Sequence, residues 1–353
     1  VLQGIYKMSA PPLSELTDIE KALLYERAVD IARLAPSCYN VQPWRFRVTP
    51  KFVEIRVNHA SGIPAYQSES PESELDQRER YISCGCALFY LILSLRQEGY
   101  HERVTLFPRG ETGDIVAQVW AADITRRLNK DDLLFASIMR RRTNRLPFFP
   151  RVLPLHLISR LRSAASEEQC EMFPMTGEKR DSLIEILNES AQTREAEETR
   201  KREAALRSEA QRLDHLRIAK PLPKLDESID MLTARTQPIN EKYHFVENGA
   251  RSFDRYQTAS ADAPLLAVLT SEGDSKRDWM LTGQSLAHVL LLASHENISA
   301  SFLNDPLLVP HLRKKVANLL QSHEYPQTIL ALGYSPLNHP TARYNLSELL
   351  IAD

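Results

Sequence analysis

The sequence predicts an α+β protein built from two architecturally similar halves. Two observations carry this: short alternating segments of strand type are interleaved with long apolar helices, and the order of those elements recurs in the second part of the chain. A third observation removes the main competitors. Only 11 glycines are present, and none forms the glycine-rich fingerprint of a dinucleotide fold or a phosphate-binding loop.

In chain order, a helix is expected near Asp18–Leu34, followed by strands Arg45–Val48 and Val53–Val57 around a Pro50-Lys51 turn. A long apolar helix follows at Leu75–Glu98 and is stopped by Gly99. Strands Val104–Phe107 and Ile115–Ile124 close the first series, with Gly110 and Gly113 between them. The second series opens with helices at Asp131–Arg140 and Leu155–Ala164 and a short strand at Cys170–Phe173. Pro264–Leu269 is continuously apolar, as a buried strand is. Trp279–Glu296 repeats the long apolar helix, and strands Ile298–Leu303 and Gln327–Leu332 flank a helix at Pro310–Leu320. The halves are placed at 14–128 and 129–353, with a charged helical insertion or lid at about 190–260. Within it, Arg194–Arg217 alternates acids and bases with few apolar positions at helical spacing.

Composition narrows the function classes. The chain has 353 residues, 43% apolar and 25% charged, with a net charge of -2. That balance is ordinary for a globular protein and gives no general attraction to nucleic acid. The longest apolar runs fall far short of the roughly 20 residues that span a bilayer, and no signal-peptide pattern is seen, so a cytoplasmic protein without a membrane partner is expected. The four cysteines suit reduced thiols better than a disulfide scaffold. Cys84-Gly85-Cys86 lies inside the long helix, where small residues let helices approach closely. His295-Glu296 and His323-Glu324 lack a histidine four residues after the first, so no metal site is expected.

Two strings carry the chemistry. Ala35-Pro36-Ser37-Cys38-Tyr39-Asn40-Val41-Gln42-Pro43-Trp44 begins by breaking a helix, since the residue before proline is pushed out of the α region. It then presents Asn40 and Gln42, each with a donor and an acceptor, as the polar edge of a flavin ring requires; Pro43 and Trp44 add an apolar wall. Arg141-Arg142-Thr143-Asn144-Arg145 sets guanidinium groups around a hydroxyl, which suits bidentate capture of a phosphate. A ring grip and a phosphate clamp together point to FMN. Taken singly, the first string could be a helix end with Trp44 filling core, and the second a basic surface loop.

The pattern APSxxNxQPW resembles a signature of the nitroreductase family of FMN-dependent oxidoreductases, and the Arg-rich string resembles that family's phosphate-binding element. The phosphate element ordinarily comes first; here the order is reversed. That inversion resembles the Acg-like branch, in which two nitroreductase units are fused. The resemblance covers most of the chain and has weaker support in Asp262-Ala263-Pro264, Asp278-Trp279, Gly283-Gln284, Pro326-Gln327 and Leu332-Gly333-Tyr334. It implies a nitroreductase-like fold as a pseudo-dimer within one chain, monomeric or a homodimer. It also implies FMN held by Pro36, Ser37, Cys38, Asn40 and Gln42 from one half and by Arg141, Arg142, Thr143 and Arg145 from the other, with Arg343 as a further phosphate partner. No catalytic acid is required. The implied activity is hydride transfer from NAD(P)H to a nitroaromatic, quinone or similar conjugated acceptor. Two alternatives stay open: a protein that sequesters FMN with little turnover, and a flavin dehydrogenase acting on a peptide or biosynthetic intermediate. Two departures from the pattern stand out. No second Arg-rich element occurs in Met8–Asp30, so one flavin per chain is expected. Asn297 replaces a glycine at the turn that approaches the flavin, and Asn tolerates the left-handed conformation needed there.

Overall fold

A computed structural model describes residues 10–59, 74–123, 129–192, 262–336 and 340–351. The expected charged helix at Arg194–Arg217, and with it nearly all of the insertion or lid expected at about 190–260, lies outside these residues.

The first half begins with helix α1 (Asp18–Ala32), fixed at its start by a capping box. Thr17 accepts from the Glu20 amide at 3.3 Å, while Glu20 accepts from the Thr17 amide at 2.7 Å. Strands β1 (Trp44–Val48) and β2 (Val53–Val57) form a hairpin, helix α2 (Glu74–Glu98) follows, and β3 (Tyr100–Leu106) and β4 (Ile115–Asp123) complete the sheet. Gly99 ends α2 at φ 98°, a conformation that carries no penalty for glycine. Strand β3 therefore starts at once, at Tyr100, earlier than its apolar pattern indicates. The sheet order is β1-β2-β4-β3, and every pairing is antiparallel.

The second half repeats this plan. Helices α3 (Asn129–Ile138) and α4 (Leu155–Glu167) precede β5 (Cys170–Met175) and helix α5 (Gly177–Gln192). Then come β6 (Leu265–Ser271), α6 (Lys276–His295), β7 (Ser299–Phe302), α7 (Pro310–Leu320), β8 (Tyr325–Gly333) and the short α8 (Leu346–Leu349). The second sheet runs β5-β6-β8-β7, again antiparallel, so its strands occupy the same relative places as β1-β2-β4-β3. Each long helix connects the second strand of its sheet to the third. Helix α5, absent from the sequence expectation, is an addition of the second half. With α7 it covers the outer face of the second sheet.

That cover explains the continuous apolar run of β6. Leu265, Ala267 and Leu269 join the central core, while Leu266 and Val268 face the smaller core beneath α5 and α7. On the first sheet, Val53, Ile55 and Val57 face the central core. Between them Glu54 is paired with Arg56 at 2.8 Å and with Gln118 at 2.8 Å.

The halves meet along α2 and α6, which cross at Gly85 and Gly283. A Cβ on Gly283 would lie 2.7 Å from the Gly85 Cα, and one on Gly85 would lie 2.9 Å from the Gly283 Cα and overlap the Met280 carbonyl oxygen. The glycine of Cys84-Gly85-Cys86 thus makes the helix crossing possible, while Cys86 Sγ donates to the Gly283 carbonyl at 3.1 Å. Burial pushes the Cys86 thiol up to about 12 and raises Cys84 as well, so neither is a reactive thiolate.

The Arg-rich string pairs within the second half, and the C-terminal segment crosses to the first. Thr143 bridges in parallel to Ala300 of β7, and the Asn144 amide donates to the Ala300 carbonyl at 2.7 Å. The C-terminal segment returns to the first sheet, where Leu350 bridges Phe46 and the Ile351 amide donates to the Phe46 carbonyl at 2.9 Å.

Candidate functional site

Between α1 and β1 the chain makes a compact turn containing a single 3-10 turn over Cys38–Asn40. Asn40 and Gln42 both take left-handed φ values, 62° and 52°, a strained backbone that surrounding contacts must hold. The Ser37 hydroxyl accepts from the Gln42 amide at 3.0 Å, closing the turn on itself. The Gln42 side chain donates to the Asn40 carbonyl at 3.2 Å and accepts from the Tyr344 amide at 2.9 Å. Cys38 is tied to α2, its amide donating to the Ser83 hydroxyl at 3.2 Å. Pro36 is buried, and Ser37, Cys38 and Asn40 are half-buried. Trp44 is fully buried at the head of β1 and belongs to the core; it does not form the open wall expected of it.

The Asn40 amide is engaged at both ends. Its nitrogen donates to the Ala342 carbonyl at 3.0 Å, and its oxygen accepts from Arg343 at 2.8 Å. Arg343 also donates to the Thr341 hydroxyl at 2.6 Å and to the Leu34 carbonyl at 3.3 Å. Arg343 therefore touches the ring turn directly, and the C-terminal segment braces the turn. Each amide group of Asn40 retains capacity for one more hydrogen bond.

The Arg-rich string follows α3 and alternates in exposure. Arg141 is buried, Arg142 and Thr143 are half-buried, Asn144 is buried and Arg145 is exposed. Its position is fixed by the Thr143 bridge and by Ser301, whose hydroxyl donates to the Asn144 carbonyl at 2.9 Å. Arg142 donates to the Arg141 carbonyl at 2.8 Å.

The two strings come together through electrostatics. Burial and the cations Arg141, Arg142 and Arg33 hold the Arg343 guanidinium down to about 9, and no carboxylate stands among its strongest charged neighbours. Burial, then Arg141, lowers Arg142 as well. Arg33 already has its counter-charge in Asp30, at 2.5 Å. Among the described residues, Arg141, Arg142 and Arg343 thus form a cationic cluster without a matching acid, and Arg141 Nε and Arg343 Nε are enclosed without hydrogen-bond partners. Such a cluster is electrostatically incomplete without an anion.

The same cluster contains a residue that sequence reasoning missed. Tyr90, on α2, has the Arg141 charge as its chief electrostatic neighbour, and burial raises its phenol pKa. Its hydroxyl is buried and has no partner outside the cluster, where Arg141 lies beside it. In the sequence it is one more apolar position of a core helix, and no local signal distinguishes it. Ser83 was missed for the same reason.

The turn after α6 also takes the expected form. Asn297 lies at φ 58°, directly after the helix C-cap Glu296. No group of three or more potential metal-ligating side chains occurs among the described residues. No described helix is long and apolar enough to cross a membrane.

No family model matches the chain. It is 26% identical over 356 residues to a Mycobacterium tuberculosis H37Rv protein named "Putative NAD(P)H nitroreductase", covering 96% of this chain and 94% of that one. The similarity to that nitroreductase-named protein thus runs over nearly the full length of both chains. A second M. tuberculosis protein, uncharacterized, is 23% identical to this chain over 337 residues, with 93% and 92% coverage. Among solved structures, the FMN- and NADPH-dependent nitroreductase NfnB from sphigopyxis sp. strain HMH is 15% identical. It covers 62% of this chain and 98% of its own, with a TM-score of 0.42. NfnB from Mycobacterium smegmatis, solved with NADPH, is 14% identical at a TM-score of 0.37, covering 64% and 100%.

Proposed function

We propose that this chain is an FMN-dependent oxidoreductase that takes hydride from NAD(P)H and delivers it to a nitroaromatic, quinone or similar conjugated acceptor. The observation that carries the reading is the cationic cluster of Arg141, Arg142 and Arg343, unbalanced by any acid among the described residues and joined through Arg343 to the ring turn at Asn40. A phosphate and a polar-edged ring on one molecule match those two features, and the residues present fit FMN.

In this reading Arg141, Arg142, Thr143, Arg145 and Arg343 hold the phosphate, and the clamp approaches from the second half. Pro36, Ser37 and Cys38 line the ring, Asn40 offers its remaining donor and acceptor to the ring edge, and Gln42 holds the turn in its strained form. Bound FMN supplies two-electron chemistry, and the protein supplies position and electrostatics. No side chain has to donate or remove a proton. The reading divides the chain into units at 14–128 and 129–353, a pseudo-dimer of the Acg-like type with one flavin site. The names of the relatives support the activity class; the acceptor rests on resemblance.

The test is reconstitution with FMN followed by anaerobic titration. The expected result is one flavin per chain, bleached by NADPH or NADH and reoxidised by a quinone or nitroaromatic. Bound flavin that resists both nicotinamides but is bleached by dithionite would mark sequestration. Absence of flavin binding would overturn the reading.

A further inference from the structure

Tyr90 is set apart from the other buried tyrosines of the first half. Tyr25 donates to the Lys51 carbonyl at 3.0 Å and accepts from the Ala121 amide at 2.9 Å. Tyr100 donates to the Pro11 carbonyl at 2.9 Å. Tyr90 is 0% exposed, and its hydroxyl has no partner outside the arginine cluster. A buried hydroxyl left unbonded costs free energy that phenylalanine, of nearly the same shape, would avoid. Its surroundings show what that hydroxyl is for. Arg141, 6% exposed and itself with an unpartnered Nε, is its chief charged neighbour, and Arg343 with its enclosed Nε belongs to the same cluster. Three enclosed polar atoms from three separate stretches of chain therefore share one cationic cluster, and the Tyr90 hydroxyl finds no partner outside that cluster, only Arg141 within it.

The equivalent position in the second half sharpens the contrast. Counting from the glycines at the helix crossing, Tyr90 lies five residues after Gly85 and His288 five after Gly283. His288 is fully engaged: its Nδ1 is 3.3 Å from Glu168 Oε1, and its ring stacks on Phe89 at 5.2 Å. The connection that corresponds to the ring turn is reduced there to Glu168–Gln169, between α4 and β5. One twin is satisfied internally, while the other holds its donor in reserve beside uncompensated guanidinium groups.

We propose that the Tyr90 hydroxyl is a phosphate ligand, donating from the core helix α2 to the terminal phosphate of the flavin held by Arg141 and Arg343. This rests on the FMN reading above and adds a phosphate donor from the half that also supplies the ring turn. The hydroxyl serves as an uncharged donor, bonding an anionic oxygen without adding to the repulsion among the cations around it.

Tyr90→Phe tests it, with affinity for FMN and for riboflavin measured by flavin-fluorescence titration and the apoprotein melting temperature recorded beside them. The expected result is FMN affinity about tenfold weaker, unchanged riboflavin affinity, and an apoprotein melting temperature equal to or above that of the parent. Equal FMN affinity in parent and variant would overturn the phosphate role while leaving the FMN reading intact. So would an equal loss for both flavins, or a lower apoprotein melting temperature, because either marks a packing role. A parent protein that binds neither flavin would overturn both readings.

Discussion

At the scale of single residues, the clearest division is between charges the protein completes for itself and those it does not. Asp274 belongs to the first kind. It receives both terminal nitrogens of Arg313, at 2.7 and 2.8 Å, together with Trp279 Nε1 at 2.8 Å and Gln327 Nε2 at 2.9 Å. Burial alone would raise its pKa, but those hydrogen bonds outweigh burial and hold it down to about 2. A carboxyl with a depressed folded-state pKa stabilises the fold above its ordinary value near 4 and loses that contribution as pH falls toward 2. Asp274→Asn is therefore expected to cost about 2 kcal/mol at neutral pH in urea unfolding and to flatten acid sensitivity between about pH 4 and 2. The arginine cluster is of the second kind. Arg145 is the part of the clamp that can be removed with little harm to the fold, being exposed. Arg145→Ala is expected to weaken FMN binding about tenfold, as loss of one charge-assisted phosphate contact does, with circular dichroism and melting temperature nearly unchanged. Retained affinity would remove Arg145 from the clamp. Both strings were legible because each concentrates unusual residue types over a short span. The left-handed backbone of Asn40 and Gln42 was not, because the contacts that hold it come from Tyr344 and Arg343, three hundred positions away.

Among the elements, the crossing of α2 and α6 governs how closely the halves approach. Gly85 was recognised as a packing residue from its place in an apolar helix, but its partner Gly283 and their mutual contact needed the structure. Gly85→Ala would press a methyl group into the Met280 carbonyl and the Gly283 Cα. It is expected to lower stability by about 1–3 kcal/mol, the usual cost of overpacking a filled core, and chemical denaturation measures it. A variant as stable as the parent would show that the helices can part without loss. Helix α5 was missed although Leu183, Ile186, Leu187 and Ala191 form an apolar stripe. Its C-terminal end runs close to the charged stretch after Gln192, and that stretch dominated the reading of the whole region. Strand β3 was placed late because His101, Glu102 and Arg103 precede its apolar residues; its pairing with β4 from Tyr100 overrides that local composition.

Across the whole molecule, the reversed order of the two motifs was the most telling feature of the sequence, because in the proposed reading the turn and the clamp come from two units and meet in one site. The two sheets with corresponding strand orders give that inference a physical basis. What the sequence could not reveal is the route by which the second half reaches back. Residues Thr341–Tyr344 occupy the side chains of Asn40 and Gln42, and Leu350 extends the edge of the first sheet at Phe46. Ending the chain after Pro340 is expected to leave both sheets formed by circular dichroism but to weaken FMN binding by more than tenfold; unchanged binding would mean that the turn holds its own shape. The returning segment has a thermodynamic consequence. A ligand gripped by Arg141 on one side and by the ring turn on the other spans the junction, so its binding energy is also adhesion between the halves. At a concentration one hundred times its dissociation constant, such a ligand raises unfolding stability by about 2.7 kcal/mol. Flavin loading and resistance to separation of the halves are then a single equilibrium, and starvation for the flavin would show first as a looser chain.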